Sequence, residues 1–334
     1  FNLYFIIQLN FRSSKIKIFH TYFSIMKWDS KNVLVTGSSG FLGSHLISLL
    51  KKKNTKKIIA PRSKECDLRK SLDCKKILED IDIVIHLAGM GNGIGFIKEH
   101  PGTIFYNTIL MDSTIIEESR KANVEKIISA STANVYPHNL MPPFNESDIW
   151  LGFPEEISAS FGIAKRLQIM QSIAYRKEYG FNSTALILSN LYGSGDNFNL
   201  DSSNVIPSLI SKISNAKFNH YKKIELWGNP TTTRDFLHVE DAANAFILTA
   251  ENSNKSESLN IASGIETSIL ELVNTLMDLM NFKAEIIWNK NKPIGASRRA
   301  LNIDKAKSEL KFIPKIDLLS GLRETIDSYQ KQSK

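Results

Sequence analysis

Apolar and polar positions alternate along the chain in two recurring ways. Short aliphatic and β-branched runs at residues 33–36, 57–60, 82–89, 126–132 and 184–188 have the length and composition of buried strands. Between them, helical periodicity begins at His45 and recurs at about residues 105–121 and 160–179. Strand and helix alternate through residue 190, which predicts an α/β fold, a Rossmann doubly wound parallel sheet. Beyond that point the pattern loosens. Residues 197–203 are polar, a helix begins at Val205, a short strand covers 225–228, and residues 234–241 lead into a helix at 242–249. Helices near 268–280 and 303–310 belong to a smaller C-terminal α+β lobe. The expected division is residues 1–26 as an extra segment outside the fold, 27–191 with 234–264 as a nucleotide-binding domain, and 192–233 with 265–330 as the lobe. Neither repeats nor low-complexity blocks interrupt this order.

The first strand feeds Gly37-Ser-Ser-Gly40-Phe-Leu-Gly43. Glycine in such a turn lets the backbone approach a pyrophosphate, and the first N–H groups of the following helix bind its charge. An ordinary strand–turn–helix also uses glycine, but three at a spacing of three between strand and helix point to a dinucleotide site. NAD-specific units of this kind carry an acid at the end of the second strand for the ribose 2′-hydroxyl. Here Pro61-Arg62-Ser63-Lys64 stands in that place. Arg62 can pair with a 2′-phosphate, so NADP(H) is favoured over NAD(H), against the plainer reading of Arg62 and Lys64 as solvated loop charges. Asp67 and Leu68 come next, placed to meet the adenine. Active sites in such sheets lie at the carboxyl ends of the strands. The glycines at 89, 91, 93 and 95, which open the backbone, and Ser131-Thr132 fall there.

Composition narrows the class. The chain has 334 residues, 42% hydrophobic and 23% charged, which suits a soluble enzyme of one large or two smaller domains. Half of the formal +8 lies in residues 1–31, where Arg12, Lys15, Lys17, Lys27 and Lys31 face only Asp29. The remainder is no nucleic-acid footprint and fits a bias towards anionic small molecules. Cys66 and Cys74, the two cysteines, match no metal or redox spacing and imply a reducing, cytoplasmic compartment. The histidines (20, 45, 86, 100, 138, 220 and 238) show no metal spacing either, so no metal is expected. No run of 18 apolar residues marks a membrane span. Residues 1–25 are acid-free and basic. They read either as a targeting presequence or, preferably, as translated AT-rich upstream sequence with Met26 the natural start.

The motifs Gly37-x-x-Gly40-Phe-Leu-Gly43, His86-Leu-Ala-Gly, Ser131-Thr-Ala-Asn-Val-Tyr136-Pro, Asn190-Leu-Tyr-Gly and Arg234-Asp-Phe-Leu-His-Val-Glu-Asp241 resemble the extended short-chain dehydrogenase/reductases of the NAD-dependent epimerase/dehydratase family. Within it, Gly91-Asn-Gly-Ile-Gly, Asn145-Glu-Ser-Asp-Ile-Trp150, Pro154-Glu-Glu-Ile, Asp196-Asn-Phe, Val205-Ile-Pro and Pro293-Ile-Gly-Ala-Ser-Arg-Arg299 are most similar to the GDP-L-fucose synthase group. The likeness covers about residues 30–330 in order. It implies a Rossmann domain with a C-terminal α+β substrate lobe, and an NAD(P)-dependent nucleotide-sugar epimerase/reductase. In that chemistry a hydride goes to C4 of a 4-keto sugar. A Ser or Thr hydroxyl holds the carbonyl, a tyrosine gives the proton, and a lysine holds the nicotinamide ribose.

Carried over by motif, the hydroxyl is Thr132 and the lysine Lys165. Phe161 stands where the tyrosine belongs, and no Tyr-x-x-x-Lys occurs elsewhere in the chain. General acid catalysis is worth roughly 10²–10⁴-fold, so the reading is a slowed enzyme rather than a dead one. The group also epimerises the two carbons flanking the ketone, with a cysteine and a histidine as acid/base. Asn134 occupies the cysteine's place, and Asn199 and Asn204 the two positions for histidine. Asparagine exchanges no proton near neutral pH.

The remaining assignments come from the same resemblance. Gly37, Ser39, Gly40, Phe41, Leu42, Gly43, Arg62, Asp67, Leu68, Leu87, Ala88, Gly89, Lys165, Leu188, Asn190 and Leu191 are implied for the cofactor. Thr132, Asn190, Asn199, Asn204, Val205, Lys212, Trp227, Arg234 and Arg298 or Arg299 are implied for a nucleotide-sugar, most closely a GDP-sugar. A homodimer through a four-helix bundle of helices 105–121 and 160–179 is implied as well. Three readings follow. They are an epimerising reductase of the GDP-L-fucose synthase type, a C4 dehydrogenase or reductase without epimerisation, and a non-catalytic protein that binds NADP and a nucleotide-sugar.

Overall fold

The computed structural model describes residues 26–90, 94–200, 202–253, 257–289 and 297–332. Residues 1–25, Gly91, Gly93 and residues 293–296 of the sequence motifs lie outside this set.

β1 (Asn32–Thr36) is buried from its second residue and runs through the glycine turn into α1 (Phe41–Lys52). Lys51 and Lys52 close that helix, cations at the negative end of its dipole. Next come β2 (Lys57–Ile59), α2 (Ser71–Ile77), β3 (Ile83–His86), α3 (Ile94–Glu99) and α4 (Pro101–Lys121). Gly95 therefore lies inside a short helix rather than in open backbone. α4 begins four residues before its apolar period suggests, because Pro101 suits a first turn that has no use for an N–H. β4 (Lys126–Thr132), α5 (Ala159–Tyr179) and β5 (Ser183–Leu188) follow. Gly180, with φ at 66°, caps α5 in the left-handed conformation that glycine adopts without strain.

The second half comprises β6 (Asn190–Tyr192), α6 (Val205–Phe218), β7 (Lys223–Trp227), β8 (Thr233–His238), α7 (Val239–Asn252), β9 (Leu259–Ile261), β10 (Glu266–Ser268), α8 (Ile269–Leu279), β11 (Glu285–Asn289), β12 (Arg298–Arg299), α9 (Asp304–Leu310) and α10 (Leu318–Gln332).

Six strands pair in parallel in the order β2-β1-β3-β4-β5-β9. β1 shows why both faces are covered. Val33 and Val35 point to the core shared with α1 and α7, while Leu34 points to the core shared with α2 and α4. The strand order reverses at β1, between β2 and β3, so the crevice at their carboxyl ends is the topological switch point.

A second core gathers Ile206, Ile210, Leu272, Leu276 and Leu322 from α6, α8 and α10. A small sheet centred on β8 joins β6, β10 and β12 to it. One expectation is corrected. Ala306 and Leu310 of α9, with Phe312 after them, pack into the α1–α7 core and not into the lobe. Their i, i+4 apolar face meets α7 and β9, so residues 303–312 return to the nucleotide-binding half.

Candidate active site

The switch-point crevice is floored by the glycine turn. Gly37 has φ at 69°, and a Cβ there would lie 2.6 Å from the Ala88 nitrogen. A Cβ on Gly43 would lie 2.2 Å from the Gly37 carbonyl oxygen. A side chain fits at neither position, and the turn needs both glycines to seat α1 on residues 37–38 and Gly37 on Leu87 and Ala88. The Gly40 N–H donates to the Gly37 carbonyl, leaving the first N–H groups of α1, at Phe41, Leu42 and Gly43, at the crevice. Ser39 is exposed beside them. A cradle of this shape with a helix N-terminus behind it fits a dinucleotide pyrophosphate.

On one side of this cradle, Arg62 is exposed just after β2, its backbone N–H donating to Glu65 Oε2 at 2.8 Å. Asp67 is already engaged. Its carboxylate accepts from Arg69 Nε at 2.8 Å and Nη2 at 2.9 Å, and the hydrogen bonds from Arg69 hold it at about 2. Leu68 is buried next to it. On the other side Leu87, Ala88 and Gly89 leave β3, with the Leu87 N–H donating to the Thr36 carbonyl at 3.2 Å. Leu188, Asn190 and Leu191 end β5 and begin β6, and Asn190 Nδ2 donates to the Asp235 carbonyl at 3.1 Å.

The reacting groups converge where β4 ends. Thr132 is its last residue, and its Oγ1 accepts from the Asn134 N–H at 3.3 Å. α5 presses flush on this segment, because a Cβ on Gly162 would lie 2.3 Å from the Asn134 carbonyl oxygen. That contact fixes half-buried Phe161 in the first turn of α5 and Lys165 one turn on. Lys165 Nζ donates to the Ala130 carbonyl at 3.0 Å and to Asp112 Oδ2 at 2.9 Å.

Among the described residues, neither Tyr136 nor Tyr192 replaces the missing hydroxyl. Tyr136 is buried with its O–H donating to Asn260 Oδ1 at 2.6 Å, and its ring stacks on Phe144. Tyr192 is buried against Gly321 in the lobe.

Arg299, on β12, reaches the same corner and donates from Nη1 to Asn134 Oδ1 at 2.6 Å. Its neighbour Arg298 does not. Arg298 is spent on Glu266, with Nε at 2.8 Å from Oε1 and Nη2 at 2.6 Å from Oε2. The structure thus separates the two arginines that the sequence leaves as alternatives. Arg234, paired across β8 and β12 with Arg299, bonds only to the Thr233 carbonyl through Nη1 among the described residues. Burial first, and the Arg299 charge second, pull Arg234 down to about 10, and burial lowers Arg299 as well. The Glu155 carboxylate acts on both guanidiniums and offsets part of this, but one carboxylate beside two crowded guanidiniums leaves an excess of positive charge that favours an anion.

Lys212 lies 4.7 Å from the centre of the Trp227 ring, a cation–π contact at an exposed indole. Burial lowers the Lys212 ammonium. Asn199 and Asn204 are exposed in the segment leading to α6, which begins at Val205.

Two residues without an assigned role sit at the centre. His86 Nε2 is 2.9 Å from Asp112 Oδ1, and His86 Nδ1 is 2.7 Å from Thr36 Oγ1. Asp112 carries its own signal in the sequence. It falls on the buried line Ile104, Thr108, Asp112, Ile115, Ser119 of α4, an acid at a core position of an amphipathic helix. Burial raises the Asp112 carboxyl, but the Lys165 ammonium and the His86 hydrogen bond outweigh this and hold it below its ordinary value.

Comparison with known proteins agrees with this arrangement. Residues 33–262 match the model of the NAD dependent epimerase/dehydratase family. The chain is 33% identical over 303 residues to a GDP-L-fucose synthase of Sinorhizobium fredii, covering 90% of this chain and 96% of that protein. It superposes with a TM-score of 0.85 on a GDP-6-OMe-4-keto-L-xylo-heptose reductase of C. jejuni, at 25% identity over 92% of this chain and 99% of that one. A GDP-L-fucose synthetase of Naegleria fowleri bound to NADP gives 0.81, at 24% identity over 91% and 95%. With the glycine cradle at the switch point and these matches over most of its length, the chain belongs to the NAD dependent epimerase/dehydratase family and is an enzyme of that kind.

Proposed function

We propose that this chain is an NADP-dependent reductase that transfers hydride to C4 of a GDP-linked 4-keto sugar without epimerising it. The observation that carries the reading is the Asn134–Arg299 hydrogen bond. At the position where an epimerising enzyme of the GDP-L-fucose synthase type would hold a proton-exchanging cysteine, this chain places an amide that anchors a guanidinium. Asn199 and Asn204, both exposed, supply no acid or base in the histidine's place. The similarity to the GDP-L-fucose synthase and to the 4-keto-heptose reductase supports a GDP-sugar ketone as substrate.

A bound NADPH supplies the hydride, and Arg62 is the group for its 2′-phosphate. Thr132 donates its hydroxyl proton in a hydrogen bond to the carbonyl oxygen. As charge develops there, Arg299 stabilises it from the Asn134 side, and water delivers the proton that Phe161 cannot. Arg234 and Lys212 neutralise the diphosphate, with Trp227 bordering the nucleotide. The cytoplasm, a reducing compartment, suits Cys66 and Cys74, both free and buried, with burial pushing the Cys74 thiol up to about 12. A homodimer through α4 and α5 is part of the proposal. Leu167, Met170 and Ile173 form an exposed stripe along α5, and Tyr106 is exposed on α4.

Turnover of GDP-4-keto-6-deoxymannose in D₂O tests this reading. One NADPH consumed per product, with no deuterium at the two carbons flanking the ketone, is the expected outcome. Deuterium at either carbon restores the epimerase. Binding of both ligands with no NADPH consumption, in this chain and in Phe161→Tyr, leaves the non-catalytic binding protein.

A further inference from the structure

Four elements contribute one side chain each to a buried polar line. The Ala88 N–H donates to Thr36 Oγ1 at 3.3 Å, next to the glycine turn. Thr36 and His86 Nδ1 are 2.7 Å apart, His86 Nε2 and Asp112 Oδ1 2.9 Å, and Lys165 Nζ donates to Asp112 Oδ2 at 2.9 Å. With the Thr36 O–H donating to Nδ1, the Nε2–H of the ring donates to Asp112. Thr36, His86, Asp112 and Lys165 are all buried.

Packing alone does not call for this line. A buried ion pair contributes no more stability than apolar groups of the same volume, and a line that crosses β1, β3, α4 and α5 has four places at which an apolar side chain would serve. What it does accomplish is orientation. Two of the three Lys165 ammonium protons go to Asp112 and the Ala130 carbonyl. The third has no acceptor among the described residues and is left for a ligand hydroxyl. Without Asp112 the ammonium has one anchor at the end of a four-carbon stem.

We propose that Asp112 is the positioning residue for Lys165, and that through His86 and Thr36 it joins this lysine to the glycine turn as one cofactor-binding unit. The inference rests on the reading of Lys165 as the lysine that holds the nicotinamide ribose.

The test compares equilibrium binding of NADPH with that of adenosine 2′,5′-bisphosphate, which lacks the nicotinamide ribose. The proteins are the full chain, D112N, K165Q and the double variant, each with its melting midpoint. NADPH is expected to weaken at least about tenfold in D112N and in K165Q, the scale of one charged hydrogen bond, and no further in the double variant. Adenosine 2′,5′-bisphosphate is expected to stay within about twofold. D112N with unchanged NADPH affinity, while K165Q has lost it, overturns the inference and leaves the lysine reading intact. K165Q with unchanged affinity overturns both. Parallel loss of both ligands marks a structural role and overturns the inference too. Should D112N alone not fold, the double variant, which removes both charges, must bind NADPH as K165Q does. A further loss shows that Asp112 acts elsewhere.

Discussion

The cofactor half and the substrate half of the crevice treat buried charge in opposite ways. Beside the glycine turn, Asp112 is held between Lys165 and His86, and its carboxyl lies below the ordinary range. In the segment from β6 to α6, Asp196 is also buried but has an oxygen, Oδ2, with no hydrogen-bond partner among the described residues. Burial raises it to about 7. Arg234 and Arg299 crowd the same half, with the single Glu155 carboxylate offsetting part of their charge. The cofactor half is paired before anything binds, whereas the substrate half keeps an excess of positive charge that an anionic ligand can balance. Holding the binding groups in place beforehand is worth keeping where the same molecule binds in every turnover. The other half is where a new substrate is accommodated.

If that contrast is right, restoring one hydroxyl should have the largest effect. Phe161→Tyr puts the general acid back on a helix turn already set against Asn134, and NADPH oxidation should rise about 10²–10⁴-fold. An unchanged rate would show that the substrate half has lost more than one proton.

Breaking the paired half comes next. Gly43→Ala brings a Cβ to 2.2 Å from the Gly37 carbonyl. Opening the turn should weaken NADPH by about 10–100-fold by titration, the cost of overpacking a tight contact. Sugar-nucleotide affinity should be unaffected.

Arg299→Met probes the other side alone. kcat for the GDP-keto sugar should fall about tenfold, on the scale of one charged hydrogen bond, while NADPH affinity stays the same. Equal losses of both would dissolve the distinction between the halves.

The smallest effect concerns pH. Asp196 has a folded value raised above that of the unfolded chain, so its stabilising contribution is present below about pH 4 and is lost as pH rises through about 7. Asp196→Asn should therefore raise the melting midpoint at pH 8, by about 2–4 °C, and raise it less at pH 5. Asp112, with its carboxyl lowered, has the opposite sign. Its contribution is lost as pH falls through its folded value.

Local and long-range contacts divide along the same line. β4 occupies residues 126–132 and α5 residues 159–179, almost as periodicity predicts, because a buried strand and a long amphipathic stripe are each local patterns. The glycine turn is equally local. Strands of two or three residues such as β9, β10 and β12 carry no period and exist only through their partners. The i, i+4, i+8 line Leu318, Leu322, Ile326 does mark α10, a helix omitted from the expected elements. In the site, Thr132, Phe161 and Lys165 are legible by motif. The bond between Arg299 and Asn134 spans 165 residues of chain, and nothing local announces it. Asp112 is intermediate, since its odd position is visible but its partners are not.

The return of Ala306, Leu310 and Phe312 to the core of α1 and α7 has a consequence for how the molecule comes apart. The polypeptide leaves the nucleotide-binding half after β6, re-enters it with α7 and β9, departs again, and comes back with α9. A protease cutting after residue 264 would strip an inner layer from one half and the body of the other. Neither fragment would be a domain, and the chain should be digested whole or not at all.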